Sequence, residues 1–276
     1  MFVVNALFLQ SDIKKMKTAL LISTYNWPEA LELVLKSLLQ QTIKPDEVLI
    51  ADDGSTQETK SLIDAFIEEN YLNVKHIWHK DDGFKRSEIL NKAVAKTDCD
   101  YIIQLDGDCI MHSKFIEDHS KNAKSNMFLF GSRVNIKEDY LSEMFTKKSI
   151  DFRFFSKGIK KRTRNIYSQF LVRFYKPSTE LSEKLRGCNL SFWRSDFIRI
   201  NGYNEDMTGW GREDSEMVVR LLNNNIKGKR LRYLGIIYHI WHNEKSRERL
   251  NINDEIQQLA INQKLLRCNN GIDKYL

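Results

Sequence analysis

Two carboxylates stand one residue apart in "LDGDC", Asp106 and Asp108, directly after the strand-forming run "YIIQ". Like charges that close repel, and each prefers water to a sheet edge. A divalent cation, a basic neighbour or plain solvent must offset that repulsion. Paired oxygen ligands at the end of a strand suit Mg²⁺ or Mn²⁺, which keep phosphate oxygens and water as further ligands. If the chain runs on extended, alternation points both side chains the same way; a turn at Gly107 would separate them. A second group lies far along the chain, where "YHIWHNE" carries His239 and His242 with an aromatic residue between them. Either could complete such a site, His242 first and His239 close behind, and a mixed oxygen and nitrogen set favours Mn²⁺ over Mg²⁺.

The octapeptide "GWGREDSE" holds a third group. Gly209 and Gly211 flank Trp210, whose indole face suits the apolar face of a hexose. Glu213 and Asp214 follow at the first turn of an expected helix, where the macrodipole favours negative charge. Two uses are open: capping acids beside a core tryptophan, or a sugar site in which one carboxylate serves as general base.

The elements that must position these groups are legible in the periodicity. "KTALLISTYN", "DEVLIADDGS", "VKHIWHK" and "DYIIQLDGD" read as strands, separated by amphipathic helical stretches, the first with Pro28 at its start. Strand alternating with helix is the pattern of a parallel sheet with crossover helices. Ligands of such sheets bind beyond the carboxyl ends of the strands. Here "STYN", "DDGS" and "DGD" should therefore converge on one crevice. No GxGxxG follows the first strand and no GxxxxGK[ST] occurs, so the ligand must be held by side chains, with or without a metal. In the second half, "FLFGSRVNI" reads as one strand, "RGCNLSFW" as a strand or loop before a short helix, and residues 254–268 as a last helix.

Composition narrows the class. A hydrophobic fraction of 42% and a charged fraction of 29% are those of a soluble globular chain with a full-sized core. "MFVVNALFLQ" is apolar but short and lacks a cleavage pattern, which favours a strand or packed arm over a signal peptide. Cys99, Cys109, Cys188 and Cys268 show no CxxC spacing, so reduced thiols in a cytoplasmic protein are expected. The net charge of +6 is concentrated: residues 147–176 hold ten Lys and Arg against one acid, with aromatic residues interleaved. Such a stretch is either a solvated basic surface or an attractor of anionic membrane, phosphorylated ligand or nucleic acid. Acids clustered at the crevice argue against a nucleic-acid backbone there.

The stretch "ISTYNWPEALELVLKSLLQQTIKPDEVLIADDGS" together with "LDGDC" resembles the nucleotide-sugar half of the family 2 glycosyltransferases. "GWGREDSE" is similar to the "GWGGED" segment of animal β-galactosyltransferases and bacterial chondroitin-type polymerases. The resemblance covers about residues 17–246 and implies an α/β GT-A fold, a Rossmann-like, mostly parallel sheet flanked by helices with a C-terminal acceptor-binding part. Within that single domain, residues 1–135 would bind the nucleotide sugar and 136–276 the acceptor, with 147–176 a basic insertion. The resemblance places Asp53 and Asp52 on the uracil, Thr24 and Tyr25 along the base pocket, and Arg86 and Asn91 over the nucleoside. It makes Asp106 and Asp108 the metal-binding pair, with Asp108 the direct ligand and His242 or His239 the late one. Asp214 would be the base, Glu213 the acid that holds the acceptor, and Trp210, Gly211 and Arg212 the acceptor wall. Arg212 departs from the glycine of the relatives.

An inverting, metal-dependent transfer of a hexose or N-acetylhexosamine from a UDP-sugar to a glycan or lipid-linked acceptor is therefore expected, in bacterial surface polysaccharide synthesis. The basic stretch would touch the inner membrane peripherally. Two rivals are a nucleotidyltransferase, which would normally show a glycine-rich phosphate loop, and a non-catalytic sugar- or nucleotide-binding module.

Overall fold

The computed structural model describes residues 15–243 and 246–276. "MFVVNALFLQ" lies outside the described residues. Four strands, β1 (Thr18–Thr24), β2 (Glu47–Asp52), β3 (Val74–Trp78) and β4 (Tyr101–Asp106), alternate with helices α1 (Pro28–Leu39), α2 (Gln57–Glu69) and α3 (Arg86–Ala95). All four strands are parallel, paired β3–β2–β1–β4, as the strand–helix alternation predicts. The runs of Leu, Ile, Val and Ala in β1, β2 and β4 are buried on both faces, which is why they read as continuous apolar stretches.

The chain then turns. After Asp106 comes a tight turn at Gly107 and Asp108, and β5 (Cys109–Met111) leaves the sheet. Gly107 N–H donates to Ser23 O at 2.7 Å, and a Cβ there would lie 3.0–3.2 Å from Ser23 and Thr24 atoms of β1. The extended-chain expectation that Asp106 and Asp108 face one way is thus corrected: the turn sends them to different partners.

Helix α4 (Phe115–Asn122), β6 (Met127–Phe130) and β7 (Arg133–Ile136) follow, with α5 (Leu141–Lys147) and the short β8 (Ile159–Lys160). "FLFGSRVNI" is therefore two strands in two sheets. Gly131 marks the break, because a Cβ on it would come within 2.2 Å of the Asn189 amide. Strand β9 (Asn189–Trp193) leads into α6 (Arg194–Arg199), and α7 (Glu213–Asn223) precedes β10 (Lys227–Arg230), β11 (Ile237–His239) and α8 (Leu250–Asn262). The last helix thus begins before residue 254 and ends before 268.

Strand β9 inserts antiparallel between β4 and β6, and β10 adds parallel to β6, completing a seven-stranded sheet in the order β10–β6–β9–β4–β1–β2–β3. A smaller sheet, β5–β11–β7–β8, sits against α1 through Ala30, Leu33, Ile110, Val134 and Tyr238. Among the described residues no helix is long and apolar enough to cross a membrane. All four cysteines are buried and free.

Candidate active site

Three strand ends and the first turn of α7 meet at the carboxyl edge of the large sheet. Register brings Ser23 beside Asp106 and Thr24 beside Asp52. Ser23 Oγ donates to Asp106 Oδ1 at 2.9 Å, and Arg86 Nη2 reaches the same oxygen at 2.8 Å. The other arm of that guanidinium, Nη1, lies 3.0 Å from Asp214 Oδ1 and 3.3 Å from Glu213 Oε1. One arginine therefore braces three carboxylates from two distant stretches of chain. Burial alone would raise the Asp106 carboxyl; the Arg86 charge and its hydrogen bond, with Ser23, hold it below the usual range instead. Arg86, expected over the nucleoside, sits at the acidic centre.

Asp214 is fixed from three sides. Besides Arg86, the Tyr203 hydroxyl lies 3.0 Å from its Oδ1 and 2.9 Å from Gln104 Oε1, while Gln104 Nε2 donates to Gly187 O at 3.0 Å. Burial, followed by the adjoining Asp214 charge, pushes the Tyr203 phenol well above its ordinary range, so it stays a neutral donor. Helix α7 is itself anchored by Arg220, which is buried, ion-paired with Glu216, and donates to Ile200 O and Gly202 O. Gly187 packs against the Asp214 carboxylate so closely that a Cβ would stand 1.9–2.0 Å from it. Gly187→Ala is accordingly expected to displace that carboxylate and lower turnover about 100-fold, the usual cost of a shift near 1 Å. The melting temperature should change far less; steady-state rates and a thermal melt check both.

Asn91 is not in the crevice. Its side chain is fully buried, accepts from Tyr203 N at 2.8 Å and donates to Tyr203 O at 2.9 Å and Glu205 Oε1 at 2.8 Å. It acts on the site at one remove, by fixing the tyrosine that holds Asp214.

Glu213 is buried, and its Oε2 accepts from Gly211 N at 3.0 Å. Burial first, then the Asp214 charge, push its carboxyl up to about 7 against the pull of Arg86. The folded protein then holds a proton that the unfolded chain has lost between about pH 4.3 and 7. Its contribution to stability is full below the unfolded value and is lost as pH rises through about 7. Glu213→Gln should remove that decline, so wild type and variant melting temperatures should diverge between pH 5 and 8 in the variant's favour.

Gly209, Gly211 and Arg212 all have positive φ (74°, 111° and 73°), which shapes the loop that carries Trp210. Trp210 is 40% exposed, with the Arg247 guanidinium 5.9 Å from its ring centroid. It is neither core nor buried cap. Arg212 turns away and pairs with Asp254 of α8.

Asp108, across the turn from Asp106, meets the histidines. Its Oδ2 lies 3.3 Å from His242 Nε2 and 3.8 Å from His239 Nε2, and one ligand atom from each of the three falls within 4.8 Å of the others. His242 Nδ1 lies 2.6 Å from Asn243 O. A carbonyl can only accept, so Nδ1 carries a proton, and Nε2 is the nitrogen turned toward Asp108. Burial lowers the His239 imidazole below its ordinary value, which keeps it neutral. One carboxylate oxygen and two imidazole nitrogens fit a divalent cation such as Mn²⁺.

The residues expected to line a base pocket lie on the other flank. Asp53 is buried, bonded to His79 Nε2 at 2.7 Å and to Lys85 N–H at 3.0 Å. Asp52, fully buried, accepts from Ser55 N–H at 2.8 Å and meets His76 Nε2 at 2.9 Å. Thr24 is buried beside them, while Tyr25 is exposed and donates to Asp81 Oδ2 at 2.9 Å. Sequence reasoning missed His76, His79, Gln104, Gly187 and Tyr203. "VKHIWHK" did offer a signal, one histidine on the strand beside β2 and another just past that strand's end.

The fold is shared with solved GT-A structures. Staphylococcus aureus TarS in complex with UDP superposes with a TM-score of 0.59 at 15% identity, covering 94% of this chain and 68% of that one. The mannosyltransferase PcManGT from Pyrobaculum calidifontis, in complex with GDP-Man and Mn²⁺, gives 0.57 at 14% identity, covering 94% and 66%. Residues 19–179 match glycosyl transferase family 2, and the chain belongs to that family. Residues 170–243 match the N-terminal domain of galactosyltransferase. Chondroitin synthase of Escherichia coli is 26% identical over 219 residues, covering 74% of this chain and 32% of the relative. Validoxylamine A glucosyltransferase of Streptomyces hygroscopicus subsp. limoneus is 24% identical over 226 residues, covering 74% and 47%. This chain thus spans a third to a half of the length of these two relatives.

Proposed function

We propose that the protein is an inverting, metal-dependent hexosyltransferase that moves a hexose or N-acetylhexosamine from a UDP-sugar to a glycan or lipid-linked acceptor in bacterial surface polysaccharide synthesis. What supports this above all is the convergence, at one sheet edge, of the Asp108–His239–His242 cluster with the Asp106–Asp214–Glu213 group around Arg86. The nucleotide-sugar half would comprise residues 1–135 and the acceptor half 136–276. Solved neighbours hold UDP, UDP-GlcNAc, or GDP-Man with Mn²⁺.

In this scheme Asp53, Asp52, Thr24 and Tyr25 shape the base pocket, and Asp108 with the two histidines would hold Mn²⁺ or Mg²⁺. When bound, the cation supplies positive charge that stabilises the leaving nucleoside diphosphate. Asp214 takes the acceptor hydroxyl proton. The acceptor oxygen bonds to the anomeric carbon as that carbon's bond to the phosphate oxygen breaks, which inverts its configuration. Glu213 and Trp210 orient the acceptor, and Arg86 holds the Asp214 carboxylate in place.

Residues 147–176 would lie peripherally on the inner membrane. Phe155, Phe170 and Phe174, exposed among the cations, support that placement.

Calorimetry with a panel of nucleotide sugars, with and without Mn²⁺, together with release of labelled sugar to water, tests the donor assignment. Metal-dependent binding of one UDP-sugar is expected. A protein that bound no nucleotide sugar under either metal would instead be a binding module.

A further inference from the structure

A cleft of about 70 Å³ on the opposite flank of β4 from the base pocket is lined by Arg133, Lys161, Arg164, Lys184, Arg186 and Arg230. Among the described residues, none of these six cations has an ion-pair partner. Their hydrogen bonds run to neutral groups: Arg164 to Arg133 O, Arg186 to Glu183 O, and Arg230 to Ser132 Oγ. Arg230 Nε is buried without a hydrogen-bond partner. Burial and then mutual repulsion depress both Lys161 and Arg164 below their ordinary values. Six like charges gathered in one concavity without a carboxylate are costly, and a multiply charged anion would offset that cost.

The cleft borders the acidic centre. Arg133 stands close enough to Asp108 and His239 to influence both, and the lining residue Cys188 follows the Gly187 that packs on Asp214. Strand order puts the base pocket at β1–β2, the cation cluster at the end of β4, and this cleft beyond it at β9, β6 and β7. In the proposed reaction a diphosphate reaching from the base pocket would end at Asp108, with the transferred hexose next along that line and the acceptor beyond it.

We propose that this cleft binds a phosphate group carried by the acceptor, so that the substrate class is a phosphorylated glycan or glycan-phosphate rather than a neutral sugar. The proposal rests on the transferase reading above. Lys161 and Lys184 are exposed and have no structural partner, so Lys161→Glu/Lys184→Glu tests it without breaking the fold.

Inorganic phosphate and glucose 6-phosphate are titrated calorimetrically into protein already saturated with UDP and Mg²⁺. Both are expected to bind, and the double variant should weaken both about tenfold or more, with UDP affinity within twofold of wild type. Phosphate that competes with UDP would assign the cleft to the donor and overturn the proposal, as would phosphate binding that the variant leaves unchanged. Flotation with phosphatidylglycerol vesicles separates the sources. Vesicle binding lost in the variant, without binding of either soluble phosphate, makes the cleft a membrane-docking patch and overturns the acceptor assignment. If UDP fails to bind with either metal, the transferase reading falls and the acceptor assignment with it. Titration without UDP then still decides whether an anion site exists.

Discussion

Asp214→Asn is expected to lower acceptor-dependent turnover about 10²–10⁴-fold, the range of a lost general base, while donor affinity stays within about twofold. The substitution keeps the size of a side chain clamped by Arg86, Tyr203 and Gln104. It removes the capacity to take a proton, together with the charge that Arg86 pairs with. Slow hydrolysis of the donor by water should survive better than transfer, because water can lose its proton to solvent. Steady-state kinetics with saturating donor, paired with calorimetry, separates the two. Near-normal transfer by the variant would remove Asp214 from the role of base.

Asp108→Ala should have an effect of similar size for a different reason. It deletes the only carboxylate of the three-ligand cluster and leaves two imidazoles, which hold a hard cation such as Mg²⁺ poorly. Removing even an outer partner of a metal site costs about 10–100-fold in affinity, and losing a ligand should cost at least that. Mn²⁺ titration followed by electron paramagnetic resonance should show the loss directly. Donor binding, strengthened by Mn²⁺ in wild type, should become indifferent to it. His242→Ala is expected to fall between the two proteins.

Much of this centre was legible before the fold. Alternation placed "STYN", "DDGS" and "DGD" at one edge, because parallel strands joined by right-handed crossovers carry their carboxyl ends to one side. The Asp/His grouping followed from residue chemistry. What stayed hidden was long-range pairing. Nothing local in "DGFKRSEIL" shows that Arg86 will meet Asp214, 128 positions later, nor in "NGYNED" that Tyr203 will reach Gln104. Asn91 looked like a polar residue available to ligand because its partners, the backbone groups of Tyr203, are invisible to periodicity. Gly187 carried no signal, since its need for a missing Cβ arises only from the Asp214 carboxylate packed on it.

Strand β9 has a consequence for how the protein is made. It fills the gap between β4 and β6, pairing Tyr101 with Trp193 and Leu129 with Ser191. Until residue 193 has left the ribosome, both neighbouring strands keep an open edge, and β6 must wait longer still for β10 and its Lys227–Met127 pairing. Such separations make loop closure costly and folding slow, and open strand edges invite pairing with other chains. At ordinary elongation rates of about 5–20 residues per second, that exposure lasts several seconds during each synthesis. The acidic centre forms only once β9 is in place and α7 brings Asp214 to the sheet edge, and His239 follows later on β11. Truncation before residue 193 should therefore yield an insoluble chain rather than a smaller nucleotide-binding domain.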